Sequence, residues 1–552
     1  MAALALVGAV MTGCTNDDNI IGEPQQPENT NNVVTLTTTV NLDGSTATTR
    51  ALNIVGVKTF AKGDKIAVVY KNTGGNTVKA ESAALTSSDI QNNGKTANFS
   101  VEMTDPDRTQ PVTYIYPAAM ANSDGTVNYN RLANQNGIRD SIATNLDLCT
   151  YTGSWSGGGL PSNVQLVNQL VICRLFIMNS SGSNSLNNSI TKLYIGDGTN
   201  GYYITAGGDH LPNPVWVAMR PVSSSQWLTF HAVGGSNKYE KEVTGKTLEA
   251  GKLYPVYVST EQLYQGALFG TFTVNDGGSK VRFSQGNLRV TYHSDYEPFT
   301  WSFADNQQDF IGNKPGNTAI NGNCNFPTYT YVDLFGYSTN SLITQWGINN
   351  ATEDGYYYGP NYENEFWIHT DFVDWGQKAI SNGGNTANQW RTPSIDEYNY
   401  LLNHSGATIG GTSNACYAIG KVNGVNGIFL FPDHYTHPND VTVPVGINDE
   451  GSTGWDGNNY WTTEWSKMAI AGAVFLPATG YRHGSTFYDG WAGYWTSMMH
   501  GGDGGGDPYG GAYCIYITKT YYSVTDSWSL RLGTGLSPLS SGYFVRLVRD
   551  AN

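Results

Sequence analysis

The sequence predicts a multidomain, mostly β chain, with all-β sandwiches to about residue 262 followed by an α+β domain over 266–552. Three observations predict it. Residues 31–260 are a succession of short β-branched and aromatic runs parted by turn residues, with no sustained 3.6-residue period. The composition changes after Tyr257, and eleven of the fourteen Trp lie beyond Gly266. The later half carries one strong helix start, WRTPSIDEYNYLLN, where Ser394 and Glu397 form a capping box and Ile395, Tyr398, Leu401 and Leu402 share one face. At 552 residues the chain is also too long for a single core.

Residues 1–13 are almost wholly apolar, are too short to span a bilayer, and end in Met11-Thr12-Gly13-Cys14. The segment resembles a bacterial lipoprotein signal, which implies acylation at Cys14 and a lipid-anchored mature chain. The usual basic n-region is absent, as expected if the true start lies upstream. Residues 15–32 read as linker. A net charge of -15 argues against nucleic acid and anionic lipid headgroups as partners, because both are bound mainly through Lys and Arg. Without Cys14, five cysteines remain, widely spaced and with no CxxC pair, so neither a disulfide framework nor a zinc knuckle is expected.

From Val33 to Leu42 the chain alternates, with Val34, Leu36, Val40 and Leu42 on one face and Thr35, Thr37, Thr39 and Asn41 on the other, which predicts a half-buried strand. A flexible DGSTATTR follows, ending at Arg50. The strand runs AKGDKIAVVY, TANFSVEM, VTYIYP, QLVICRLFIM, VWVAM, QWLTFHAV and KLYPVYV come next. A break near 157–162 divides them into two sandwiches, 33–160 and 161–262.

The residues TTRAL (48–52), FAKGDKIAVVYKN (60–72), VKAESAALT (78–86), YIYPAAM (114–120), NQLVICRLFIM (168–178) and TLEAGKLYPVYV (247–258) resemble the fimbrillin family of type V pilus subunits. The resemblance implies transthyretin-like sandwiches, proteolysis after Arg50, removal of the Val33–Leu42 strand, and refilling of its groove by a strand from a neighbouring subunit. The residues agree with that scheme: a strand burying four aliphatic side chains leaves a groove that must be refilled. The alternative is a permanent first strand and an Arg50 that is only a surface residue.

In the later region, WRTPSIDEYNYL (390–401), VNGVNGIFLFPD (422–433), AGAVFLPATGYR (471–482), GYWTS (493–497) and GYFVRLVRD (542–550) resemble the C-type-lectin-like fold, in the branch that includes the formylglycine-generating enzymes. Tyr398 stands where that branch usually has Trp. A second helix is expected over 366–380, and strands over 473–476, 494–497, 513–517, 528–532 and 543–548. The resemblance implies that segments between the final strands form a ligand face. Seven glycines between Gly501 and Gly511 make that stretch a loop, because each would cost a regular element about 0.5–1 kcal/mol. The candidate ligand-binding residues are Tyr488, Trp491, Met498, His500, Asp503, Asp507, Tyr509, Tyr521 and Tyr522. Rigid aromatics among small polar neighbours suit adaptable recognition. Trp495 and Trp528 are expected in the core.

Catalysis is not expected. Formylglycine-type oxidation needs two cysteines together on the ligand face, and Cys416 and Cys514 fall on different strands. No cofactor is expected; calcium is the one candidate, through acids at 437–440, 448–451, 454–459, Asp503 and Asp507, although the tripeptides of sugar-binding lectins are absent. His434 and His437 lack a further metal ligand. The expected function is a cell-surface fimbrial adhesin of the outer membrane that binds a host or microbial glycan or protein, with pilus subunits as partners by strand addition. The last residues match the final strand of the lectin-like domain and leave no tail to donate, which suits a pilus tip. The rivals are a monomeric glycan-binding lipoprotein of a polysaccharide-uptake system and a formylglycine-generating type of enzyme.

Overall fold

A computed structural model describes residues 32–42, 58–161, 164–292, 299–314, 317, 330–337, 372–449, 457–483, 486–489, 491–500, 511–519, 528–529, 535–537 and 541–551. Cys14 and Arg50 lie outside them. The protein is mostly β, with several sheets and few helices.

The alternating first stretch is a strand, Val33–Leu42, in the interior of an eight-stranded sheet. It pairs antiparallel with Thr96–Thr104, from Val33 opposite Thr104 to Asn41 opposite Thr96, and parallel with Val164–Asn168 through Val40, Asn41 and Leu42. Its inward positions are graded. Val34 and Leu36 are half-buried, Thr38 is buried with its hydroxyl donating to the Pro161 carbonyl at 2.9 Å, and Val40 and Leu42 are fully in the core. The strand is therefore anchored chiefly by its C-terminal half.

The predicted division at 160/161 needs correction. Strand Val164–Asn168 belongs to the first sheet, and Val164 and Leu166 lie in the first core. Conversely, Met120, Leu132, Ile142 and Leu148 enter the second core, and Asn134–Gln135 pairs with Gly201–Thr205 of the second sheet. The chain thus crosses to the second sandwich and returns before it leaves for good near Leu170. Hydrophobic partners far apart in sequence, not the glycine-rich break, decide the boundary.

The second sandwich faces a three-stranded sheet (Val171–Met178 between Val215–Met219 and Leu253–Ser259) against a six-stranded one that includes Lys192–Gly196, Leu228–Gly234 and Asn237–Val243. Beyond it, Lys280–Phe283 pairs with Val548–Ala551, joining the two ends of the last region. The predicted helix is Ile395–Asn403: Ser394 Oγ accepts from the Glu397 N–H at 3.1 Å, the Glu397 carboxylate accepts from the Ser394 N–H at 2.8 Å, and the four predicted apolar residues are buried. Over 372–380, where a helix was expected, there is only the short 3-10 turn Trp375–Gln377. The 543–548 run is likewise not a continuous strand. Tyr543 bridges to Phe335, Phe544 to Tyr494 and Val548 to Arg391, so its backbone changes partners along its length.

The second sandwich and the last region meet through a buried polar junction. Arg282 donates two hydrogen bonds to Glu240, at 2.8 and 2.7 Å, and the Gly270 N–H donates a third at 3.2 Å. His231 Nδ1 donates to the Ile470 carbonyl at 2.6 Å, and the Tyr194 hydroxyl donates to the Thr436 carbonyl. Around these groups Tyr194 and Tyr203 share one core with Phe269, Tyr435 and Trp465.

Candidate functional site

Three of the late candidates, Trp491, Met498 and His500, lie on one hairpin. Strand Trp491–His500 buries Ala492, Tyr494 and Trp495, while Gly511–Lys519 buries Ala512, Cys514, Ile515 and Ile517. As expected, Trp495 is core: it is fully buried and its indole N–H donates to the Phe335 carbonyl at 2.7 Å. The Tyr494 hydroxyl donates to the Pro477 carbonyl at 2.8 Å and accepts from Asn287 at 3.3 Å. The hairpin is thus fixed to the frame by buried hydrogen bonds.

Register divides the candidates. Trp491 stands opposite Thr518 and His500 opposite Gly511, so seven residue steps, about 23 Å, separate the two ends. Met498 and His500 belong to one end, and Trp491 belongs to the other. Of the nine residues expected on one ligand face, Trp491 and His500 thus stand at opposite ends of this strand pair, and Tyr488 lies on the preceding strand, Thr486–Tyr488. Asp503, Asp507, Tyr509, Tyr521 and Tyr522 lie outside the described residues, as do the side chains of Trp491, His500 and Trp528.

At the His500 end the pairing slips, with Trp495 opposite Cys514 and then Met499 opposite Ala512. Two extra residues bulge there. Thr496 Oγ1 donates to the Tyr513 carbonyl at 2.8 Å, the Ser497 N–H donates to the Pro393 carbonyl at 2.9 Å, and Met498 is left half-buried against the core. Bulges beside a loop re-aim side chains and end pairing. Three residues before Trp491, Tyr488 is 42% exposed and stacks on Tyr481, with ring centroids 5.2 Å apart. Tyr481 lies 5.9 Å from Tyr543, which lies 4.7 Å from Trp495. Tyr488 is the surface end of an aromatic column rooted in the core, a side chain already ordered for contact.

Of the metal candidates, 450–456, Asp503 and Asp507 lie outside the described residues, and His434, His437, Asp440 and Asn448 have other work. Asp440 pairs with Lys467 and accepts from Asn134 at 2.6 Å across the junction. His437 accepts from the Tyr435 hydroxyl at 3.2 Å and its Nε2 donates to the Val441 and Thr442 carbonyls. Burial pushes its imidazole down to about 4. His434 stacks on Trp227 and faces Glu242. Asn448 uses its amide to hold the Cys416 and Asn414 backbone. Among the described residues no group of three His, Cys, Asp or Glu could hold a metal. Cys416 and Cys514 are buried in separate core clusters, and burial pushes the Cys416 thiol up to about 11.

One feature had no sequence signal. A cleft of about 780 Å³ opens at the junction, lined by the turn after Leu228–Gly234, the 262–269 connection, residues 305–308 and the helix Thr462–Ile470. Its walls come from stretches far apart in sequence, with Lys192, Gln285, Asn382 and Asn423 completing them, and no local pattern brings them together.

No family model and no curated protein matches the chain. Solved structures do. A fimbrial assembly protein from Parabacteroides distasonis is 12% identical, covering 49% of this chain and 99% of that one at a TM-score of 0.23. A candidate cell adhesion protein from Bacteroides uniformis is 15% identical, covering 42% and 97% at 0.24. The tip fimbrial protein Mfa3 from Porphyromonas gingivalis, with C-terminal truncation, is 11% identical, covering 42% and 99% at 0.20.

Proposed function

We propose that this chain is a fimbrial subunit of the cell surface whose last region, of the C-type-lectin-like kind, recognises a glycan or protein through the loops at the ends of its final hairpin. The observation that carries the reading is the placement of Val33–Leu42. It sits inside a sheet between two other strands, it is anchored at its C-terminal half, and it is followed by the 43–57 segment with Arg50. Cleavage after Arg50 would free a strand whose departure opens a groove between Thr96–Thr104 and Val164–Asn168, and an equivalent strand from another subunit would fill it. The exposed Tyr488, on a rigid aromatic column, supports contact by the last region. Modest affinity at one such site would suffice where many copies act together.

The test is the N-terminal residue and assembly state of the protein recovered from its native cell surface. A terminus at Ala51 in high-mass fibres is expected. An acylated terminus at Cys14 on a protein found only as a monomer would overturn the pilus reading and favour the glycan-uptake lipoprotein.

A further inference from the structure

The junction cleft is positively charged in a protein of net charge -15. Lys238 lines it, half-buried, and its ammonium donates to the Ala267 carbonyl at 2.7 Å. Behind the wall Arg546 is fully buried, and among the described residues its guanidinium meets two uncharged acceptors, Gln307 Oε1 at 3.1 Å and Asn287 Oδ1 at 3.4 Å, while its Nε has no partner. Among the described residues neither cation forms an ion pair, although buried charges are ordinarily paired. Burial, aided by repulsion from Arg546, pushes Lys238 down to about 8. Asp305, exposed, is the one acidic side chain of the described lining.

The rest of the wall suits a polyhydroxylated ligand. Gln262, Asn306 and Gln308 present side-chain amides; Gln262 Nε2 already donates to Asn237 and Asn306 Nδ2 to Asp309, which leaves each a second amide hydrogen and its oxygen, and the Gln308 Oε1 is a buried acceptor with no donor among the described residues. Tyr264 and Trp465 supply aromatic surface, and the volume falls within the range of small-molecule sites, about 300–1,000 Å³.

We propose that this cleft binds a carboxylate-bearing sugar of the sialic or uronic acid class, with the carboxylate held by Lys238 and the hydroxyls on the amide wall. The site is separate from the hairpin ends and goes beyond the recognition proposed above.

Calorimetry on the full chain at neutral pH and low salt tests it, with N-acetylneuraminic acid and glucuronic acid as probes and N-acetylglucosamine and glucose as neutral controls. The acidic sugars are expected to bind at least about tenfold tighter than the neutral ones, because a charge-assisted contact is added. Lys238→Gln, which keeps a donor toward Ala267, removes that advantage. Asp305→Asn, a change at an exposed side chain that keeps the fold, tightens acidic-sugar binding about twofold. Tyr488→Ala leaves it unchanged, so failure here and failure of the hairpin reading are distinguishable. Equal binding of acidic and neutral sugars, no binding of either, or acidic-sugar affinity indifferent to both Lys238→Gln and Asp305→Asn would overturn the proposal. So would tighter binding by a short peptide with a free C-terminal carboxylate.

Discussion

Removing the Val33–Leu42 strand should cost the first sandwich most of its stability, and the cost should concentrate at one end. Val40 and Leu42 are 0% and 4% exposed, and burying an aliphatic side chain contributes about 1.5–3 kcal/mol, so these two supply about 3–6 kcal/mol. Val34 and Leu36, half-buried, add about half as much again. A typical domain is stable by only about 5–15 kcal/mol. The perturbation is a pair of variants, Leu42→Ala and Leu36→Ala, together with chain cut by trypsin in the 43–57 segment. In urea unfolding, Leu42→Ala should cost about 2–5 kcal/mol and Leu36→Ala less than half of that. After cutting, a labelled peptide of residues 33–42 in excess should replace the native strand, with exchange faster for Leu42→Ala protein than for Leu36→Ala. Equal costs at the two positions would refute the graded anchoring. Failure of the peptide to enter cut protein, with stability unchanged by the cut, would refute the idea that the groove exchanges strands.

Two further outcomes are expected. Burial holds the folded His437 at about 4, below the ordinary imidazole value near 6.5, so the unfolded chain binds more protons between those values and stability contributed by neutral His437 is lost as pH falls through that window. From pH 6.5 to 5 this amounts to about 2 kcal/mol; burial of His231 acts in the same direction, and Asp333, pushed up to about 6 by burial, acts in the opposite one. The decisive quantity is therefore the difference between native protein and His437→Gln in urea unfolding across that range; parallel curves would contradict it. Burial also pushes Cys173 up to about 12 and Cys416 up to about 11, so iodoacetamide at pH 8 should modify neither thiol in folded protein and both once urea unfolds it, as peptide mass mapping would report. Rapid native alkylation of Cys416 would reopen a reactive role for it.

What the sequence disclosed was local. The Ser394–Glu397 box lies within one turn, and the alternation of Val33–Leu42 within one strand, so both could be read without knowing their surroundings. The helix Thr462–Ile470 escaped because Trp461 holds its N-cap position, where a hydroxyl or carboxamide would have announced it; instead Glu464 accepts from the Trp461 N–H at 3.1 Å. The domain boundary escaped because residues 118–148 choose their core by partners far along the chain. The separation of Trp491 from His500 escaped for a related reason. Only the pairing of His500 with Gly511 and of Trp491 with Thr518 shows that the two stand at opposite ends of the strand pair.

The junction explains why recognition could be built on this frame. A buried ion pair adds little net stability over an apolar contact, but displacing one partner leaves a buried charge unpaired at a cost of about 3–5 kcal/mol. Glu240 is 7% exposed and its carboxylate is shared between Arg282 and the Gly270 N–H, so any rotation of the last region about the second sandwich would strip those bonds together. His231, donating to the Ile470 carbonyl, and Asp440, joined to Asn134, resist the same motion at other points of the interface. The arrangement thus selects one orientation more than it adds stability. A cleft whose walls belong to both regions is then held open before any ligand arrives, and binding there need not order the walls first.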